Sequence, residues 1–210
     1  MNQVGEIDIT IDEVVSNQAA HNFILNVYRY NENTRALRLS KFTELVRDPE
    51  LKILVAKHFF DESKHAYLFT RHLLELGADI YPLPPDMDYL HKLESSGIGV
   101  RFERMLESDE LTDDEIVRFL VADELLEERG VKTLSQHLDA VTESKTRSMI
   151  DAILRDEKSH VSYINQALGK LSDLFQKDRI SALYSEYRMR EDVVHREHWL
   201  SLQKRLIGFF

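Results

Sequence analysis

A five-residue pattern occurs twice in this chain, as Asp61-Glu62-Ser63-Lys64-His65 and Asp156-Glu157-Lys158-Ser159-His160, and each copy has a glutamate thirty residues before its own, Glu32 and Glu127. On a helix, residues three apart share a face about 5–6 Å from one another, so each copy offers a carboxylate oxygen and an imidazole nitrogen to one region of space. Two copies and two lone glutamates supply the six ligands of a two-metal carboxylate site. A bare Glu-x-x-His is weak, expected about once by chance at this composition. Requiring the preceding Asp lowers the chance expectation to about a tenth of an occurrence, so two copies are informative.

Depth provides a second test. In an antiparallel helical hairpin, two residues reach the same level only if they are equally far from the turn. Glu32 and Glu62 are symmetric about residue 47, in Arg47-Asp48-Pro49, which reads as a helix stop, an Asp cap and a proline at the first helical position. Glu127 and Glu157 are symmetric about residue 142, where Val141-Thr142-Glu143-Ser144 offers two capping hydroxyls and weak helix formers. Each glutamate lies about 22 Å from its turn. Both hairpins therefore deliver their carboxylates at matching depth.

Long stretches are free of helix breakers, because three of the four prolines, Pro82, Pro84 and Pro85, crowd into one segment and glycine is scarce. The pattern predicts an all-α chain forming a single domain over 1–210, with a core bundle over 11–170. A first helix is expected over 11–46, broken near Asn31–Asn33, and a second over 49–76, ended by Gly77. A crossover over 78–111 carries a helical piece at 87–107 that breaks at Gly97 and Gly99. A third helix runs from a Thr112 cap to 140, a fourth over 144–168 to Gly169, and a C-terminal helix over 172–207.

The helical faces distinguish ligands from surface charge. The fourth helix has an inward stripe of Ile150, Ile153, Glu157, His160, Ile164, Ala167 and Leu171, apolar except at the motif. The second gives Leu51, Val55, His58, Glu62, His65 and Phe69, and the third Val117, Leu120, Glu124, Glu127, Val131 and Leu134. On the first, Leu25, Tyr28, Glu32, Ala36 and Leu39 share their side with Arg35. Four carboxylates buried together are strongly unfavourable unless cations or protons neutralise them. Two divalent metals would do so, and a carboxylate and imidazole set suits Fe or Mn better than Mg or a closed Zn site.

These motifs resemble the ferritin-like di-iron carboxylate superfamily, whose pattern is Glu, Glu-x-x-His, Glu and Glu-x-x-His on four successive core helices, over residues 20–170 of this chain. The resemblance implies a ferritin-like four-helix bundle of two hairpins with a long crossover and an added C-terminal helix. It implies two Fe ions, or a Mn and Fe pair, on Glu32, Glu62, His65, Glu127, Glu157 and His160, with Glu62 and Glu157 bridging. Both motifs are complete, as in ribonucleotide reductase small subunits, bacterial hydrocarbon monooxygenases, aldehyde-deformylating oxygenases and demethoxyubiquinone hydroxylases. That completeness implies oxygen activation. By the same resemblance Asp61 and Asp156 support the metal-bound histidines through their second ring nitrogens. Glu124, one turn before Glu127, is similar to the additional glutamate of rubrerythrin-type peroxidases and is an extra candidate ligand.

Other residues have plainer readings. His58 reads as a core histidine bonded to a neighbour and stays outside the metal set. Gly130 reads as a site of close helix packing, with a π-bulge as the alternative. Tyr28, Tyr67 and Tyr163 fall near the ligand levels, where radical or proton-transfer sites could lie, but tyrosines more commonly fill a helical core. His195 and His198 read as surface residues.

The expected activity is an O2-dependent di-iron oxidase or oxygenase acting on a small organic substrate in the bundle core. Electrons come from an external donor, since the chain has no cysteine and no nucleotide-binding fingerprint. One alternative is a ferroxidase or peroxide-scavenging protein; another is a non-enzymatic helical binding protein with Phe209 and Phe210 as a docking tail. A net charge of −10 disfavours nucleic acid. The first residues lack the basic and apolar regions of a secretory signal, and no stretch approaches 18 apolar residues, so a cytoplasmic protein without a transmembrane segment is expected. A homodimer is compatible with these features.

Overall fold

Four of the long helices begin where a side chain caps free backbone N–H groups. The structure, a computed structural model, describes residues 9–172 and 177–210, and all regular structure among them is helical. The opening helix α1 (Ile11–Ser16) starts on a capping box in which the Thr10 hydroxyl accepts from the Glu13 N–H and the Glu13 carboxylate accepts from the Thr10 N–H. Asn17 then leaves the helical region, and its side chain accepts from the N–H groups of Ala19 and Ala20 to start α2 (Gln18–Leu45). The helix expected over 11–46 is therefore two helices. Its break lies at Asn17, where a side-chain oxygen satisfies free backbone donors, and α2 runs unbroken through Asn31–Asn33.

The Asp48 carboxylate accepts from the Leu51 N–H, and Pro49 opens α3 (Pro49–Glu75) as the sequence predicts. Gly77 takes a φ of +68°, and Ala78 donates back to the Leu73 carbonyl, closing the helix end. The crossover holds a 3-10 turn (Pro85–Met87) and two short helices, α4 (Tyr89–Ser95) and α5 (Phe102–Leu106), separated by Gly97 and Gly99.

A Thr112–Glu115 capping box starts α6 (Asp113–Ala140). The Glu143 carboxylate caps α7 (Ser144–Ser172) by accepting from the N–H groups of Lys145 and Thr146, in place of the hydroxyls expected to do so. Helix α7 continues through Gly169 to Ser172, because a glycine with helical backbone angles costs the helix only about 1 kcal/mol. The last long helix is α8 (Lys177–Leu206); the part of its expected span at 173–176 lies outside the described residues. A 3-10 turn (Ile207–Phe209) folds back on the start of the chain, where Asn17 Nδ2 donates to the Phe209 carbonyl.

Helices α2 and α3 pack as one hairpin, α6 and α7 as a second, α3 meets α7, and α8 lies against α6 and α4. Two apolar layers form inside this arrangement. One contains Leu39, Val55, Leu125 and Ile164 and the other Leu25, Phe69, Leu134 and Ile153. Each of α2, α3, α6 and α7 contributes one of these residues to each layer, and Glu32, Glu62, Glu127 and Glu157 occupy the positions between. Burying such side chains at about 1.5–3 kcal/mol each helps offset the cost of the polar layer. No described helix is long and apolar enough to cross a membrane.

Candidate metal centre

The symmetric spacing of the hairpins brings all six expected ligands to one level. Glu32, Glu62, His65 and Glu157 form one group, and His58, Glu62, Glu127 and His160 a second; within each, one donor atom from every residue lies within 4.8 Å of the others. Glu62 belongs to both groups. In the first, His65 Nδ1 is 3.4 Å from Glu32 Oε2 and 3.2 Å from Glu157 Oε1. In the second, His160 Nδ1 is 3.5 Å from Glu62 Oε1 and 3.4 Å from Glu127 Oε1. Glu157 Oε1 also comes within 4.0 Å of His160 Nδ1, at the edge of the second group.

The outward ring nitrogens are held crosswise. His65 Nε2 lies 3.2 Å from Asp156 Oδ2, and His160 Nε2 lies 3.3 Å from Asp61 Oδ2, so the aspartate of each motif supports the histidine of the other. Lys57 and Lys64, each 2.6 Å from its aspartate, fix the two carboxylates in turn. An acceptor on Nε2 favours the tautomer that leaves Nδ1 as a lone pair facing the glutamates.

The buried polar atoms fit a pair of divalent metals. Glu32 Oε2, Glu62 Oε2, Glu127 Oε2, Glu157 Oε1, His65 Nδ1 and His160 Nδ1 are enclosed without a well-formed hydrogen bond, while Glu127 Oε1 is held by Arg35 and His58. Orphaned buried atoms are rare, and here they converge on one space with the donor types Fe and Mn accept. Without metal, protons and one arginine carry the neutralisation. Burial, Glu127 and Glu62 push the Glu157 carboxyl up to about 8. Burial and Glu62 likewise raise Glu32. Burial also acts to raise Glu62, but Arg35 and His58 outweigh it and hold that group well below its ordinary value. The Arg35 guanidinium, itself buried, pairs with Glu127 and lies 2.8 Å from Asp123 Oδ1.

The sequence reading missed His58 as a member of the site. It is fully buried, with Nε2 2.7 Å from Glu127 Oε1 and 3.1 Å from Glu62 Oε1 and Nδ1 2.7 Å from Tyr163 Oη. The available signal was its place one turn before Glu62 on the same stripe. Glu124 stands outside both groups, its carboxyl raised to about 7 by burial and Glu128. Helix α6 stays regular at Gly130, where a Cβ would come 3.1 Å from Glu157 Oε2, so this glycine makes room for a ligand carboxylate. Tyr67 is exposed, whereas Tyr28 is half-buried with Oη 3.3 Å from His137 Nδ1.

A cavity of about 640 Å³ opens from the first group towards α8. Glu32, Arg35, Gly130 and Glu157 line its inner end; Ile24, Val27, Leu126, Leu134, Trp199 and Leu202 form apolar wall; and Arg129, Lys132, His195 and His198 add polar surface. His195 and His198 thus belong to the cavity wall. Comparison with protein-family models, curated proteins and solved structures finds no match.

Proposed function

We propose that this chain is a ferritin-like dimetal carboxylate oxidoreductase that uses O2 to oxidise a small organic substrate. The observation that carries the reading is the pair of ligand groups sharing Glu62, with each histidine supported by the aspartate of the opposite motif. When bound, two Fe ions, or a Mn and Fe pair, would supply the oxygen-activating redox chemistry. The protein's part is to hold them. Glu62 is the shared carboxylate, Glu157 its expected bridging partner, and Glu32, Glu127, His65 and His160 complete the set. The apolar residues on either side exclude bulk water from the acids.

The cavity favours an organic substrate over the ferroxidase and peroxide alternatives, since Fe2+ or peroxide needs no apolar space of this size beside the ligands. Convergent orphaned donors weigh against a non-enzymatic bundle, whose buried acids would need partners of their own. Electrons would come from an external donor. The deciding experiment is anaerobic reconstitution with Fe2+, a metal count, and Mössbauer and optical spectra before and after O2, beside a Glu62→Ala, Glu157→Ala double variant. The expected result is about two irons per chain, coupled on oxidation and lost in the variant. A folded chain that binds no iron and shows no O2-dependent signal would overturn the reading.

A further inference from the structure

His58 has the arrangement of a ligand. Its Nε2 points between Glu62 and Glu127, while its Nδ1 is engaged on the far side by Tyr163 Oη at 2.7 Å and faces Asp123 Oδ2 at 3.5 Å. This is the arrangement of His65 on Asp156 and His160 on Asp61, with one ring nitrogen facing the glutamates and the other fixed from behind.

We propose that His58 is a third imidazole ligand and that the two metal positions are chemically unequal. This rests on the dimetal reading above and goes beyond its six ligands. One position draws on His58, His160, Glu62 and Glu127, the other on His65, Glu32, Glu62 and Glu157. The first therefore has two nitrogen donors against one in the second. Imidazole favours Fe over Mn, and carboxylate narrows that preference, so with both metals present Fe concentrates beside His58 and Mn in the carboxylate-rich position. Tyr163 is a positioning residue: its hydroxyl fixes the ring, as the two aspartates do for the other histidines.

The test uses the full chain, loaded anaerobically with equal Fe2+ and Mn2+, crystallised, and measured by anomalous diffraction at both metal edges. The expected result is His58 Nε2 about 2.1 Å from a metal, with Fe enriched there and Mn enriched at the other position. Two bound metals with His58 Nε2 more than about 3 Å from either, still seated on Glu127, would overturn the proposal and leave the dimetal reading standing. Random Fe and Mn occupancy would overturn the inequality, and a chain that binds no metal would overturn both readings. Two variants check the assignment in solution, with helicity by circular dichroism as the folding control. His58→Leu should lose one of the two tightly bound irons and its Mössbauer doublet while keeping the other. Tyr163→Phe should weaken one site about 10-fold. Two irons with unchanged doublets in a folded His58→Leu chain would sink the proposal.

Discussion

The Asp61 carboxylate on α3 lies 3.3 Å from Nε2 of His160 on α7, so an acid of one hairpin orients a candidate ligand of the other. This contact ties the assembly of the centre to the docking of the hairpins. Asp61→Ala should therefore weaken metal binding by about 10- to 100-fold, the usual cost of losing such a support. Helicity should be unchanged, and the partner Lys57, which is largely exposed, should lose little by it. Chelator competition on the variant and the parent chain measures the effect; equal affinities would mean that the aspartate does not hold the ring.

Gly130 presents a conflict between helix and site. Alanine is the better helix former by about 1 kcal/mol, so Gly130→Ala should leave the melting temperature of the metal-free chain equal or higher. Its Cβ, however, would come 3.1 Å from Glu157 Oε2, and the carboxylate would have to move by a few tenths of an ångström. Metal affinity should fall while the metal-free chain loses no stability. Calorimetry of both forms separates the two effects, and a parallel fall in both would point to a packing fault instead.

The hairpins and the level of the candidate ligands were legible because both are set by counting: equal spacing from Arg47 and from residue 142 leaves no other depth for the four glutamates. The break at Asn17 was not, since a side chain that caps by accepting two backbone N–H groups looks in sequence like any polar helical residue. His58 was hidden for a related reason. A buried histidine on an apolar stripe is identical in sequence whether its nitrogens meet a carbonyl or, as here, Glu127 and Tyr163. Glu124 shares the stripe of Glu127 but stays outside both groups of candidate ligands, a difference that spacing does not encode.

A buried pair outside the centre sets an acid limit. His21 Nε2 and His137 Nε2 lie 2.9 Å apart, a contact in which one ring donates and the other accepts, so the two cannot both be cations. Burial, then His72, pushes His21 down to about 4, and burial, then His21, pushes His137 down to about 3. Unfolded histidines titrate near 6.5, so below about that pH the unfolded chain binds more protons and stability falls as the pH drops towards 4. Each ring contributes a slope of at most about 1.4 kcal/mol per pH unit. His137→Gln should be less stable than the parent at pH 7, and the gap should narrow as the pH falls to 5. Chemical denaturation across that range checks it; a constant gap would show that the pair does not titrate on unfolding.

Arg35 would compete with a bound metal for Glu127. In the metal-free chain its guanidinium pairs with Glu127 and Asp123, all three groups being buried. Arg35→Met leaves both acids without that partner, and breaking a buried pair in this way costs about 3–5 kcal/mol. At roughly 2–4 °C per kcal/mol, the metal-free melting temperature should fall by roughly 6–20 °C. With metals bound, Glu127 donates to a cation that is still present, so the loaded chain should lose less. Whatever the metal-free form loses beyond the loaded form appears as tighter binding, tenfold for about each 1.4 kcal/mol. The expected outcome is therefore a variant that is less stable when empty and binds Fe2+ at least about tenfold more tightly in chelator competition. Weaker binding would show instead that Arg35 helps hold Glu127 and Asp123 in the geometry that receives the metal.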